Sequence, residues 1–302
     1  MARDAMDAAT ALAWQLAMGA DEALLDAAID RSRPAPAVQA AARSAPAPMR
    51  EDAPRPARDG GPGPVREAAP AAAPIAATPP RRELPAVSRA RALAEAAENL
   101  PALAEAIRNF DGLVIRETAT QLVFADGVPG APVLFVGEAP GADEDIQGKP
   151  FVGRSGQLLD RMLASIGLAR TPDAHQLPFY ITNIVTWRPP GNRNPTDEEV
   201  ALSLPFCLRH IALARPKLLV MAGGVAAKAL TGRAEGILRL RGKWYDLPVP
   251  GLPAPVPALA TLHPAYLLRN PGAKRDAWAD LLSLRQAIER AGIVPGAIMT
   301  SG

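Results

Sequence analysis

Apolar residues fall into three different rhythms along this chain. In residues 6–30 (MDAATALAWQLAMGADEALLDAAID), Leu12, Leu16, Leu24, Leu25 and Ile29 stand at near-helical spacing, interrupted at Gly19. That spacing predicts two short amphipathic helices within an N-terminal segment spanning 1–30. Across 31–86 the rhythm is lost. Prolines recur too often for regular helix and few large apolar side chains remain to bury, so an Ala/Pro-rich disordered tether is expected. From 87 to 295 the pattern is that of a folded domain. A helix is predicted over Ala90–Ala106, followed by four short apolar runs: Pro132–Val136, Phe179–Ile184, Lys217–Ala222 and Pro257–Leu262. Helical stretches alternate with them at Gly156–Ile166, Thr196–Ala214, Val225–Leu230 and Ala277–Ala291. Alternation of this kind predicts an α/β domain of three layers, helices on both faces of a mostly parallel four-stranded sheet. In such sheets ligands bind beyond the carboxyl ends of the strands.

Composition narrows the picture. A hydrophobic share of 48% supports a sizeable core, and 33 prolines agree with a partly unfolded chain. The formal charge of +2 neither demands nor excludes nucleic acid, because a local basic surface matters more than the total. A single cysteine, Cys207, excludes an internal disulfide framework and a cysteine-held zinc or iron–sulfur site. No apolar run is long enough to cross a bilayer, and the opening MARDAMDAAT lacks a secretory pattern. A cytoplasmic monomer with no membrane contact is expected, its N-terminal segment free to meet a protein partner.

The chemistry stands at the strand ends. After the first comes Gly137-Glu138-Ala139-Pro140-Gly141, then Asp143, Glu144, Asp145 and the run Gly148–Gly153 containing Phe151. Glycines allow a tight turn and a close backbone approach to a ligand. Neither dinucleotide nor P-loop spacing is present, and three acids would repel phosphate. After the second strand comes Asn183, whose carboxamide offers an acceptor and two donors suited to a base edge and can equally serve as a turn residue. Arg188 follows, ahead of a Pro/Asn-rich loop. After the fourth comes His263-Pro264, then Tyr266-Leu267-Leu268-Arg269. Apolar side chains there could wedge a base stack while the arginine holds phosphate, or could simply bury as a helix begins. His175 and His210 are assigned to structure. Arg239, Arg241 and Lys243, with Arg269, Lys274 and Arg275, are candidate phosphate contacts.

Three blocks, GEAPGADEDIQGKPFVGRSGQLL at 137–159, YITNIVTWRPPGNRNP at 180–195 and HPAYLLRNP at 263–271, together resemble the family 4 uracil-DNA glycosylases. The resemblance spans about residues 90–291 and implies a DNA-repair hydrolase acting on uracil in DNA by base flipping. It implies that Phe151 stacks on uracil, Asn183 reads its edge, Gly137–Gly141 (Ala139 included) holds a carbonyl, and His263 faces O2, where charge builds. Arg188, Arg241, Lys274 and the 265–269 loop, with Tyr266, Leu267, Leu268 and Arg269, are expected to touch DNA. Where another branch of the superfamily carries an aspartate to activate water, this chain has Ala139. Glu138, Glu144 and Asp145 are the remaining candidates, Glu144 preferred over Asp145.

The resemblance also implies a [4Fe–4S] cluster held by four cysteines, but those positions are Phe110, Leu113, Trp187 and Ser203 here. No cluster and no metal are therefore predicted, apolar packing taking up the same volume. Loss of the cluster keeps a second reading open, a non-catalytic binder of uracil-containing or single-stranded DNA. A third is a hydrolase of free nucleotides.

Overall fold

The computed structural model describes residues 85–295. The N-terminal segment at 1–30 and almost all of the tether lie outside the described residues. Pro85 and Ala86, assigned to the tether, instead open the first helix, α1 (Pro85–Ala96).

The helix expected over Ala90–Ala106 is two helices, α1 and α2 (Leu100–Asn109). The break has a local cause. Asn99 is extended at φ −148° and its side chain accepts the Ala102 N–H, while Pro101 occupies the first turn of α2, where its missing donor costs nothing. Short helices α3 (Ala142–Gln147) and α4 (Arg154–Ala164) follow the first long strand. The longest is α5 (Asp197–Ala214), opened by a reciprocal Thr196–Glu199 capping box. Beyond it lie α6 (Gly224–Thr231), α7 (Ile237–Leu240), α8 (Pro264–Arg269) and α9 (Lys274–Arg290). Among the described residues no helix is long and apolar enough to cross a membrane.

The sheet has seven strands rather than four. β2 (Val133–Gly137), β4 (Leu177–Asn183), β5 (Leu218–Ala222) and β7 (Val256–Thr261) are the four expected, and they lie parallel in the order β4-β2-β5-β7. Every residue of β2, β4 and β5 is buried, which is why these strands read as unbroken apolar runs. The additions are β1 (Asp126–Gly127) and β6 (Trp244–Leu247), antiparallel on β4 and β7, and β3 (Leu168–Ala169), which pairs with the start of β4. Two-residue strands are too short to print a period on a sequence, and exposed Asp246 interrupts the pattern of β6.

Side chains alternate between two cores. Leu134, Val136, Leu219, Met221 and Ala258 face α1, α2, α5 and α6. Val133, Phe135, Phe179, Ile181, Val220 and Leu259 face α4, α8 and α9. The chain leaves β2 toward β4 and returns to β5 on the other side of β2, so the sheet order reverses at β2. The carboxyl ends of β2, β4 and β7 therefore open on one crevice.

Candidate nucleobase pocket

That crevice holds a cavity of about 300 Å³, lined by Glu138–Gly141, Phe151, Asn183, His263 and Arg269, with Asn192–Asn194 along one side. The strand register sets its floor. Gly137 and Asn183 are partners in the β2–β4 pair, and the Ile184 and Val185 N–H groups donate to the Gly137 and Glu138 carbonyls past the strand ends. A side chain at 137 has no room: a Cβ would lie 2.4 Å from both Asn183 Oδ1 and the tip of the Phe151 ring. Asn183 is 2% exposed and its Oδ1 has no hydrogen-bond partner in the protein. A buried acceptor without a partner costs stability, which points to a ligand donor as its complement.

Phe151 is held from two directions. Its backbone has φ of 55°, the left-handed region that a bulky side chain rarely occupies. Arg170, well covered, donates to the Phe151 carbonyl at 2.6 Å and the Pro150 carbonyl at 2.8 Å. It is itself anchored on Asp126 and Asp160, each at 2.9 Å. On the other side, Glu144 accepts the Val152 and Gly153 N–H groups through one carboxylate oxygen and the Gly141 N–H through the other. One carboxylate thus ties the Gly137–Gly141 turn to the Phe151 turn. Sequence reading missed Arg170, since nothing in its neighbourhood marks it; the hydrogen bonds alone reveal it.

His263 is the N-cap of α8, its Nδ1 accepting the Ala265 N–H at 3.1 Å. Nδ1 is therefore an acceptor, and the neutral ring carries its proton on Nε2. Burial first, and the Arg269 charge second, pull its pKa down to about 4, with Glu144 opposing. Gly223, at φ 100°, lets the end of β5 pass beneath the ring, since a Cβ there would lie 3.0 Å from the His263 Cβ. The Phe151 and His263 rings stand 5.5 Å apart between centroids. Burial raises the pKa of Glu138, and Arg269 partly offsets it.

The sequence profile of the Uracil DNA glycosylase superfamily matches residues 124–282, which include every group just described. The chain is 37% identical over 187 residues to the type-4 uracil-DNA glycosylase of Pyrobaculum aerophilum, covering 61% of this chain and 91% of that protein. It is 39% identical over 170 residues to the type-4 enzyme of Archaeoglobus fulgidus, covering 55% and 81%. With that of Thermotoga maritima it shares 34% over 174 residues, covering 57% and 85%. The chain belongs to the uracil-DNA glycosylase superfamily, type 4.

Several contacts expected of a type-4 glycosylase lie elsewhere. Leu267 is fully buried in the second core, held there by the helical turn of α8, so it is not a wedge. Tyr266 packs partly on the same core; Leu268 and Arg269 remain exposed. Arg241 pairs with buried Asp280 and donates to the Asp276 carbonyl, and it does not line the cavity. Arg188 donates to Asn192 Oδ1 at 2.7 Å and lies 3.8 Å from the Asp145 carboxylate, shaping the loop that flanks the cavity. Asp145 is spent on Thr120 and Gln121. Lys274 opens α9 and does not line the cavity.

The four positions where the family resemblance places cluster cysteines carry no thiolate donor. Phe110, Leu113, Trp187 and Ser203 are all buried, and Phe110 packs on Phe206 with ring centroids 5.3 Å apart. The void left beside Leu113, Ser203 and Cys207 is about 10 Å³, at most the room of one water molecule. Burial pushes the Cys207 thiol up to about 12, far from a thiolate. These residues do not fit an iron–sulfur cluster. Among the described residues no group of three or more His, Cys, Asp or Glu side chains could hold a metal ion. Trp187 Nε1 and Ser203 Oγ, both at positions where the resemblance places cysteines, are buried without partners.

Proposed function

We propose that this protein is a monofunctional DNA N-glycosylase that removes uracil from DNA, working on a nucleotide turned out of the stack and leaving an abasic site. Superfamily membership makes it a hydrolase of this class. The observation that carries the reading is the convergence of Phe151, Asn183 and His263, remote in sequence, on one cavity sized for a single base.

A base inside a duplex cannot reach this cavity, so the target nucleotide must be extruded. Phe151 recovers part of that cost, base–aromatic stacking being worth about 1–3 kcal/mol. Asn183 pairs its unpartnered Oδ1 with the N3–H of uracil, and its amide nitrogen donates to O4. Cytosine, with no proton on N3 and an amino group at C4, leaves both atoms mismatched. As the C1′–N1 bond breaks, its electron pair passes to the base and spreads onto O2, while the sugar becomes an oxocarbenium ion. The neutral His263 ring donates from Nε2 to that oxygen. Removal of one such aligned donor typically lowers the rate roughly 10²–10³-fold.

Water then adds to C1′ and gives up a proton. Glu138 accepts it: both Glu138 and Glu144 line the cavity, but the Glu144 carboxylate already accepts three backbone N–H groups. Glu144 is accordingly assigned to holding the loops together, with Glu138 as the water-handling group. Arg269, which lines the cavity, and exposed Leu268 would contact the flanking strand, with Arg193 beside them while paired with Glu199. The packing at Phe110, Leu113, Trp187 and Ser203 stands in for an iron–sulfur cluster, and the activity needs none.

Incubation with uracil-containing oligonucleotides, single- and double-stranded, followed by alkali, tests the reading directly. Strand scission at the uracil position is expected, lost by at least about 10² in His263→Ala or Asn183→Ala. Tight binding of both substrates with no abasic site formed would favour the non-catalytic DNA-binding module instead, a reading to which the absent cysteines lend weight.

A further inference from the structure

We propose that the groove between α1 and α5 is a docking site for this chain's own residues 6–22. The groove has a volume of about 620 Å³ and is walled mainly by apolar side chains, notably Val87 and Ala94 from α1, and Ala201, Leu204 and Leu208 from α5, with Pro250 at one end. On α5 these stand at i, i+3 and i+7, an apolar stripe, and on α1 at i and i+7, with Arg91 between them and Glu95 beside Ala94. An apolar floor flanked by charged side chains is the cradle that an amphipathic helix fills in helix-in-groove recognition.

Residues 6–22 match that cradle. Ala9, Leu12, Ala13 and Leu16 recur at i, i+3, i+4 and i+7, one face of a helix. A helix ending before the break at Gly19 is marginal by itself in water and would be stabilised by packing against a surface. Charge agrees. The segment carries Asp7, Asp21 and Glu22 and no basic residue, whereas two cations, Arg91 and Arg209, line the groove against one acid, Glu95, and exposed Arg215 and Lys217 lie at the C-terminal end of α5 and just beyond.

The connection favours this occupant over any other. The chain enters the domain at Pro85, two residues before groove-lining Val87. With random-coil dimensions, the intervening residues 23–84 would have a root-mean-square span of about 40 Å, long enough to return the segment to the groove its own exit adjoins. A linked segment is present at an effective concentration of about millimolar, which a second molecule at micromolar concentration cannot match. The groove shares no lining residue with the nucleobase cavity, so docking leaves base excision untouched.

Amide hydrogen exchange of the full-length chain, read by mass spectrometry at two protein concentrations, tests the proposal. Amides in 6–22 should exchange at least about tenfold more slowly than in Leu12→Asp/Leu16→Asp, equally at both concentrations, as expected for intramolecular docking. Leu204→Lys, at a partly exposed position, should release the same amides. The segment double variant carries both substitutions outside residues 85–295 and so changes no side chain of the described domain. In it, amides around Leu204–Leu208 should lose protection while uracil excision stays at the wild-type rate. Free-chain exchange of 6–22 in the wild-type protein would overturn the proposal. So would protection that grows with concentration, which would mark a second copy, or protection that survives Leu204→Lys.

Discussion

The tightest constraint at the pocket is Gly137, and Gly137→Ala turns it into a number. The added methyl would lie 2.4 Å from Asn183 Oδ1 and from the Phe151 ring tip, against an ordinary contact of 3.4–4 Å. Each neighbour must therefore move by about 1 Å. Neither can do so freely: Asn183 ends a strand buried throughout, and the Phe151 backbone is clamped by Arg170 and Glu144. Forcing a methylene into packed surroundings costs about 1–3 kcal/mol of stability. For a domain of this size that lowers the melting temperature by roughly 2–4 °C per kcal/mol. The larger effect falls on chemistry, since a displacement of about 1 Å in a positioning group can cost about 10² in rate. Single-turnover excision with enzyme in excess isolates that step from binding and product release. Gly130→Ala serves as the matched control. Gly130 also has a positive φ, 77°, but nothing lies within 4 Å of the Cβ position, so it should lose stability and keep its rate. A Gly137→Ala protein that melts and excises like wild type would refute the steric account of the pocket.

Three further outcomes are expected. The His263 ring, followed by nuclear magnetic resonance, should titrate near 4 rather than at its ordinary 6.5. Because the unfolded chain binds that proton at higher pH, stability should fall as pH drops from 6.5 toward 4 and stay flat above; a midpoint at 6.5 would contradict the enclosed ring. Arg170→Met should free the Phe151 turn and raise KM several-fold more than it lowers kcat, reflecting a weakened stack of about 1–3 kcal/mol; equal loss in both would assign Arg170 to general stability. Elemental analysis of purified protein should find no stoichiometric iron, and its visible spectrum no cluster band; one cluster per chain would reverse the reading of Phe110, Leu113, Trp187 and Ser203.

The parts of this molecule that are legible in the sequence are those whose cause is local. Three of the four parallel strands are buried throughout, and β7 at every position but Pro257, so each reads as an apolar run whatever surrounds it. Asn183 and His263 stand at the ends of those runs, where an α/β sheet places its ligands, and Phe151 lies in a glycine-rich turn beside them. Features set by distant partners are not legible. Nothing near Arg170 shows that it reaches the Phe151 carbonyl, and the spacing of Glu144 does not reveal that it bridges two turns. Arg241 reads as a surface cation because its partner, Asp280, lies on a helix at the far end of the chain. Leu267 and Leu268 are identical letters, and only the phase of α8 buries one and exposes the other.

The wall built from Phe110, Leu113 and Trp187 changes what the cell must provide. If, as proposed, no cluster is inserted, a fold closed by hydrocarbon at this corner would need no iron or sulfur donor to mature. It would also lack an oxidisable inorganic core for peroxide to dismantle, so base excision would tolerate oxidants that strip iron–sulfur clusters.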